Sequence, residues 1–365
     1  MMSCGSPRIW LIIGDKLGDN AQVDVLVQTL GLPAQRKELR FKEQWVYGKP
    51  RFRASLHHID PARSAPLEPP WPDLVITIGR RPAMAALWVK RQSGGRTKLV
   101  LIGRPKRHFD EFDLVIATGQ YRVPERPNVL KLDLPLMRAD PEAVAQAVKD
   151  WEDRLSPLPR PLTAVFVGGA TKPFRFGASE ARQLLKQLQQ ITGREGSLYI
   201  STSRRTAVEA VAALGAALPA NARLFRWRAD TPAPDNPYLA LLGSADRFVV
   251  TGDSISMMVE VIRLGKPLAI APLPRSPFSP RFFGRSLWQS LKQLPLLSAI
   301  CRGFDRRFLW QPRDFDSFYS ILRRAGWASF LGEGFPSPPL ENPDWRAPVT
   351  QRLQALLPAG NVGKK

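Results

Sequence analysis

The chain has 365 residues, 44% of them hydrophobic, enough for two ordinary α/β cores and too apolar for wholesale disorder. A formal charge of +21 implies an anionic partner such as nucleic acid, anionic lipid headgroups or a phosphorylated substrate, without choosing among them. Two cysteines, Cys4 and Cys301, exclude a disulfide framework or a cysteine-based zinc site and fit a reducing cytoplasm. No stretch approaches the roughly 20 apolar residues that cross a bilayer, so any membrane contact is expected to be peripheral.

Ile9 to Ile13 is an apolar run too short for a signal peptide and stops at Gly14-Asp15, so it reads as a first strand. Val23, Leu26, Val27 and Leu30 follow at helical spacing. His57 and His58 lie in a proline-rich loop and read as surface residues. Leu74 to Ile78 is a buried-strand run, followed by a helix-like stretch from Pro82 to Arg91 and by strand-like runs at Leu99 to Ile102 and Leu114 to Ala117. Ser156 to Pro161 carries three prolines in six residues and is the best linker candidate. Beyond it, Thr163 to Val167, Leu198 to Ser201, Leu224 to Trp227, Phe248 to Thr251 and Leu268 to Ala271 are strand-like, with a helix marked by Ala181, Leu184, Leu185 and Leu188. Such alternation predicts two α/β halves, each a parallel sheet flanked by helices. The expected domains are 1–155, a linker at 156–161, 162–275, and a helical extension at 276–365.

Three places can carry chemistry, because ligands of open parallel sheets bind where strands end and helices begin. The first is Gly14 to Gln22, where Gly18 and Asn20 sit beside Asp15 and Asp19. It is either a ligand loop or a plain turn with an Asp19 or Asn20 cap. Its spacing matches neither a dinucleotide fingerprint nor a P-loop. The second pairs Gly168-Gly169-Ala170-Thr171-Lys172 with Thr202-Ser203-Arg204-Arg205, which are either a plain strand-ending turn and a solvated basic helix start, or a place where exposed amides, hydroxyls and guanidinium groups suit a diphosphate. The third runs from Thr251 to Glu260. A strand ends at Gly252, Asp253 and Ser254 are able caps, and Ile255, Met258, Val259 and Ile262 form a buried stripe. Ser256 and Glu260 are four apart and share the opposite face, so Glu260 can accept hydrogen bonds from ribose hydroxyls.

This layout resembles the donor half of GT-B glycosyltransferases such as the peptidoglycan N-acetylglucosaminyltransferase. More specifically, the chain resembles the bacterial branch of the mitochondrial-fission "elongated mitochondria" family. The matching pieces are Gly14-x-x-x-Gly18-x-Asn20-x-Gln22, Pro72 to Ile76 with Gly79-Arg80-Arg81, Thr202 to Thr206, Asn236-Pro237-Tyr238, and Thr251 to Met257. The resemblance implies a GT-B-like fold of two Rossmann-type parallel-sheet domains facing across a cleft. It also implies nucleotide-sugar binding by Gly18, Asn20, Gly168, Gly169, Thr202, Ser203, Arg204, Arg205, Asn236, Gly252, Asp253, Ser254, Ser256, Met257 and Glu260. Relatives carry a Pro-x-His-Asp element where this chain has Ala117 to Tyr121.

Sugar transfer requires a base for the acceptor hydroxyl and charge stabilisation for the leaving diphosphate. Asp15 and Asp19 are the candidate bases on position alone; no metal and no cofactor beyond the nucleotide-sugar substrate is expected. Between residues 281 and 335, Phe282, Phe283, Trp288, Leu291, Phe304, Phe308, Trp310, Trp327 and Phe330 alternate with arginines. That pattern predicts either docking on an anionic membrane surface, peripheral on the cytoplasmic face, beside a cell-envelope acceptor, or a core-packing C-terminal helix with solvated arginines. The rival expectation is a non-catalytic membrane-associated adaptor. Nucleic acid is not expected as a partner, because the basic residues are dispersed and no recognised module accompanies them.

Overall fold

The computed structural model describes residues 6–31, 33–46, 53–105, 107–137, 139–192, 196–276, 313–339 and 344–357. The chain divides into two units, one of Met1–Met137 with Pro343–Lys365, the other of Arg138–Asn342. Each is built on a six-stranded sheet whose neighbouring strands run parallel.

In the first unit the elements are β1 (Ile9–Ile13), α1 (Leu17–Leu30), β2 (Ala34–Glu38), α2 (Glu43–Val46), β3 (Leu74–Ile78), α3 (Arg80–Gln92), β4 (Lys98–Ile102), β5 (Leu114–Thr118) and β6 (Val129–Leu132). The sheet order is β2-β1-β3-β4-β5-β6. β1, β3 and β5 are buried along their whole length, so their side chains are apolar on both faces except Thr77 and Thr118, whose hydroxyls are hydrogen-bonded. Alternate residues serve two cores. Ile9, Leu11 and Ile13 pack with Val23 and Leu26 of α1 and with Val349 and Leu353 of the helix Arg346–Gln354. Trp10 and Ile12 face α3 and the loop residues Phe41, Ile59 and Leu67. Each buried Leu, Ile or Val contributes about 2 kcal/mol by leaving water.

The second unit holds α4 (Pro141–Asp150), α5 (Glu152–Leu155), β7 (Leu162–Val167), α6 (Ala178–Thr192), β8 (Ser197–Thr202), α7 (Val208–Ala216), β9 (Ala222–Phe225), α8 (Tyr238–Ser244), β10 (Arg247–Thr251), α9 (Ile255–Arg263), β11 (Leu268–Ala271), α10 (Phe315–Arg324) and β12 (Ser329–Phe330). The order β12-β11-β10-β7-β8-β9 is the Rossmann order: counting from β7, it is 6-5-4-1-2-3.

The division falls ahead of the proline stretch at 156–161. α4, which lies within the expected first domain of residues 1–155, packs on α8, where a Cβ on Gly243 would meet the Val148 side chain at 2.3 Å. Trp151 adds a hydrogen bond from Nε1 to the Pro234 carbonyl, 2.9 Å. The C-terminal region is likewise not one extension: residues 313–339 complete the second unit, and 344–357 pack on the first.

Of the expected aromatic stripe, the described residues are Trp327, which is buried, and Phe330, which is half-buried, so these two follow the core-packing alternative rather than the membrane-facing one. Phe315, Phe318, Tyr319 and Leu322 beside them are buried as well. Phe315 meets Phe174, Tyr319 meets Phe330, and β12 extends the sheet beside β11. Arg323 lies over the Phe330 ring and pairs with Glu333 at 3.0 Å. The other aromatic residues of that expectation, Phe282 to Trp310, lie outside the described residues.

Candidate functional site

In the second unit the strand order reverses between β7 and β10, so Gly168-Gly169 and Gly252-Asp253 follow the carboxyl ends of the two strands flanking the switch point. Asp253 dominates the interior there, with a side chain shut off from solvent. Its carboxylate accepts from the Gly169 N–H (3.0 Å), the Thr171 hydroxyl (3.2 Å) and the Thr251 hydroxyl (2.8 Å). Arg205 pairs with it at 3.2 Å, and the same guanidinium donates to Thr171 Oγ1 and Ser254 Oγ. Gly168 N–H donates to Thr251 Oγ1 at 2.8 Å. A Cβ on Gly168 would meet Ser254 Oγ at 2.1 Å, and one on Gly169 would meet the Arg205 carbonyl at 2.0 Å.

The expected exposed amides are therefore corrected: both glycine N–H groups are spent on protein partners, and the glycines are required by close packing. Thr202 accepts from the Trp227 N–H and donates to the Phe225 carbonyl; Ser203 and Thr206 hydroxyls hold the Gly168 carbonyl. Gly252 donates to the Ala271 carbonyl, and its own carbonyl accepts from the buried Tyr319 hydroxyl.

The groups left facing solvent lie on α9 and on the loop after β8. Ser256 is exposed, Met257 and Glu260 are half-buried, and Arg204 is exposed with no ion pair among the described residues. Glu260 accepts a short hydrogen bond from the hydroxyl of Tyr238, the first residue of α8. Asn236 Oδ1 in turn accepts from the Tyr238 N–H, and the Tyr238 ring leans on Phe166 of β7, 4.6 Å between centroids. Burial pushes the Glu260 carboxyl above the ordinary carboxylate range, against the lowering effect of the Tyr238 hydroxyl. Burial, and then the Glu260 charge and hydrogen bond, push the Tyr238 phenol far up. One Glu260 oxygen is thus fixed, and the other has no hydrogen-bond partner among the described residues. The spacing of Ser256 and Glu260 was legible in sequence; the Tyr238 brace was not, although Asn236-Pro237-Tyr238 marked the place.

In the first unit the order reverses between β1 and β3, so the loops at Gly14–Asn20 and Gly79–Arg81 follow the corresponding strand ends. Gly79 takes φ +82°, which a side chain would strain, and opens α3. Asp15 and Asp19 keep 41% and 39% of their side-chain exposure; Asp15 stands 3.9 Å from Arg81 and Asp19 4.0 Å from Lys16. Gly18 faces open space. α1 starts at Leu17 without a side-chain cap, so Asn20 is not the cap; its Nδ2 donates back to the Gly14 carbonyl at 2.9 Å. His57 is exposed as expected, but His58 is fully buried. It stacks on Phe41 and bonds through Nε2 to the Arg81 carbonyl at 3.0 Å. Burial lowers its pKa to about 4 despite the opposing hydrogen bond, with the charges of His57, Arg81 and Lys42 adding to the fall. After β5, Gln120 is buried and donates to Thr118 Oγ1.

Two doubly wound parallel sheets, the second in Rossmann order, each with its loops gathered at a switch point, define a two-unit α/β protein. The chain belongs to the family described as mitochondrial fission ELM1, whose model matches residues 18–296. It is 28% identical over 221 residues to the mitochondrial fission protein ELM1 of Arabidopsis thaliana, covering 54% of this chain and 51% of that protein. The chain thus spans about half the length of that relative. Among solved structures it aligns with MurG of Acinetobacter baumannii (13% identity, TM-score 0.43, 96% of this chain and 91% of that one). It also aligns with a UDP-GlcNAc 2-epimerase of Methanocaldococcus jannaschii (9% identity, TM-score 0.48, 95% and 99%).

Proposed function

We propose that the second unit binds a nucleotide-sugar and that the protein is a metal-independent glycosyltransferase acting on a cell-envelope acceptor. The observation that carries this reading is the Glu260 carboxyl: half-buried, held on one side by Tyr238, and one helical turn from the exposed Ser256 hydroxyl. A carboxyl with one fixed and one uncommitted oxygen is suited to a pair of sugar hydroxyls, which water-exposed carboxylates bind poorly. Arg204 and Lys172, both exposed and without an ion pair among the described residues, are cations able to meet the diphosphate, since Arg205 is committed to Asp253. Asp15 or Asp19 would take the proton of the acceptor hydroxyl. The protein would work at the inner face of the membrane, drawn there by its +21 charge.

The test is a thermal-shift panel of UDP-, GDP-, ADP-, TDP- and CMP-sugars on the parent and on Glu260→Ala. A donor that stabilises the parent more than Glu260→Ala is expected. Stabilisation of neither protein by any donor removes the reading. A second reading, a non-catalytic adaptor, is favoured by the turn after β5, where Gln120 is buried in place of the relatives' His-Asp pair. It predicts no nucleotide binding, or binding without release of nucleoside diphosphate under any acceptor, and loss of Asp15 and Asp19 without effect.

A further inference from the structure

One face of the first unit's edge, along β1 and β2, carries an open groove of about 320 Å³, at the small end of the range for metabolite pockets. None of its lining residues belongs to the loops Gly14–Asn20 or Gly79–Arg81 described above. The strand register sets Trp10 opposite Gln35 and Ile12 opposite Lys37. Because side chains alternate, Trp10, Gln35 and Lys37 share that face, and Arg8 joins them from the residue before β1. Pro66, Pro69 and Pro70 supply the opposite, apolar wall.

Lys37 is the unusual residue. It is only 8% exposed, yet its ammonium makes no hydrogen bond or ion pair with any described residue and rests 4.7 Å above the Trp10 ring. Lysines are almost never this buried without a partner. Trp10, itself 2% exposed, has an indole N–H without an acceptor among the described residues. Gln35 offers an amide beside them. Arg8 is at the rim, partly engaged with the Trp71 carbonyl at 3.4 Å, and Glu68 is exposed on the same rim.

We propose that this groove binds a small organic monocarboxylate. Lys37 and Arg8 set against Glu68 leave a net single positive charge, which a monocarboxylate matches and a phosphate dianion exceeds, and the Lys37 ammonium and Gln35 amide can meet the two carboxylate oxygens. The proline wall and the tryptophan provide the contact area for a short apolar or aromatic body. The site is independent of the nucleotide-binding reading.

The test uses the full chain with sodium benzoate as probe, and inorganic phosphate and chloride at equal ionic strength as controls. Binding is followed through the indole N–H resonance of Trp10, identified by its loss in Trp10→Phe. Benzoate is expected to shift that resonance saturably, phosphate and chloride not. Lys37→Met is expected to weaken benzoate about tenfold or more. Glu68→Gln, at an exposed position that leaves the fold alone, is expected to tighten it about threefold by removing a like charge. The proposal is overturned by no saturable shift, by a phosphate or chloride response equal to that of benzoate, or by unchanged affinity in Glu68→Gln and a folded Lys37→Met.

Discussion

Asp253 provides the sharpest test of how the second unit is held together. Its carboxylate is sealed from water, accepts three hydrogen bonds and pairs with Arg205 at 3.2 Å. A hydrogen bond to a charged group contributes about 1.5–3 kcal/mol, and breaking a buried pair by removing one partner costs about 3–5 kcal/mol. The Thr171 and Thr251 hydroxyls have other roles, since they accept from Arg205 and from the Gly168 N–H, and can partly reorient. The Gly169 N–H cannot. We expect Asp253→Ala to lose about 4 kcal/mol and Asp253→Asn, which keeps one acceptor oxygen, about 2 kcal/mol. Urea titration at pH 7, followed by far-ultraviolet circular dichroism and tryptophan fluorescence, reads this as an earlier midpoint for the second unit's transition. Midpoints at the parent value for both variants would refute the reasoning and return the carboxylate to the list of groups open to ligand.

His58 makes stability pH-dependent with a definite sign. Its folded pKa, about 4, lies below the ordinary 6.5, so its contribution is complete above pH 6.5 and is lost as pH falls toward 4. The loss approaches about 3 kcal/mol at the acid end, and His58→Gln should flatten the stability profile between pH 7 and 5. Asp113 behaves as a buried, paired carboxylate. Burial pushes it up, but Lys90, the Leu99 N–H and Lys98 bring it below its usual value. Its support is therefore present at neutral pH and lost in acid, and Asp113→Asn should destabilise at pH 7 by about 1–2 kcal/mol and progressively less at lower pH, by the same urea titration. Gly169→Ala places a methyl 2.0 Å from the Arg205 carbonyl, and should lower the melting temperature by several degrees or abolish soluble expression.

The central strands were readable because burial on both faces leaves only apolar runs: β1, β3 and β11 fall on their expected residues. β2, Ala34–Glu38, was missed because an edge strand of sequence AQRKE, mostly exposed, has no apolar signal. β9 lies two residues earlier than expected and has only one fully buried residue. The strand-end glycines were found, but their role was not. Whether Gly169 offers its N–H to a ligand or to the protein is decided by Asp253, 84 residues away. The Tyr238–Glu260 pair, 22 residues apart, is of the same kind. In the C-terminal region, alternating aromatic and basic residues leave membrane docking and core packing both open, because the sequence does not show what covers such a segment; here Phe315 packs on Phe174, and Phe318, Tyr319, Leu322 and Trp327 are buried.

The claim that Glu260 receives the hydroxyls of a nucleotide's ribose is tested most directly by isothermal titration with a ribonucleoside diphosphate and its 2′,3′-dideoxy analogue, on the parent and on Glu260→Ala. The parent should prefer the ribose form by about tenfold, and the variant should lose that preference while keeping its affinity for the dideoxy form. Equal preference in both proteins, or no binding by the parent, would contradict the account.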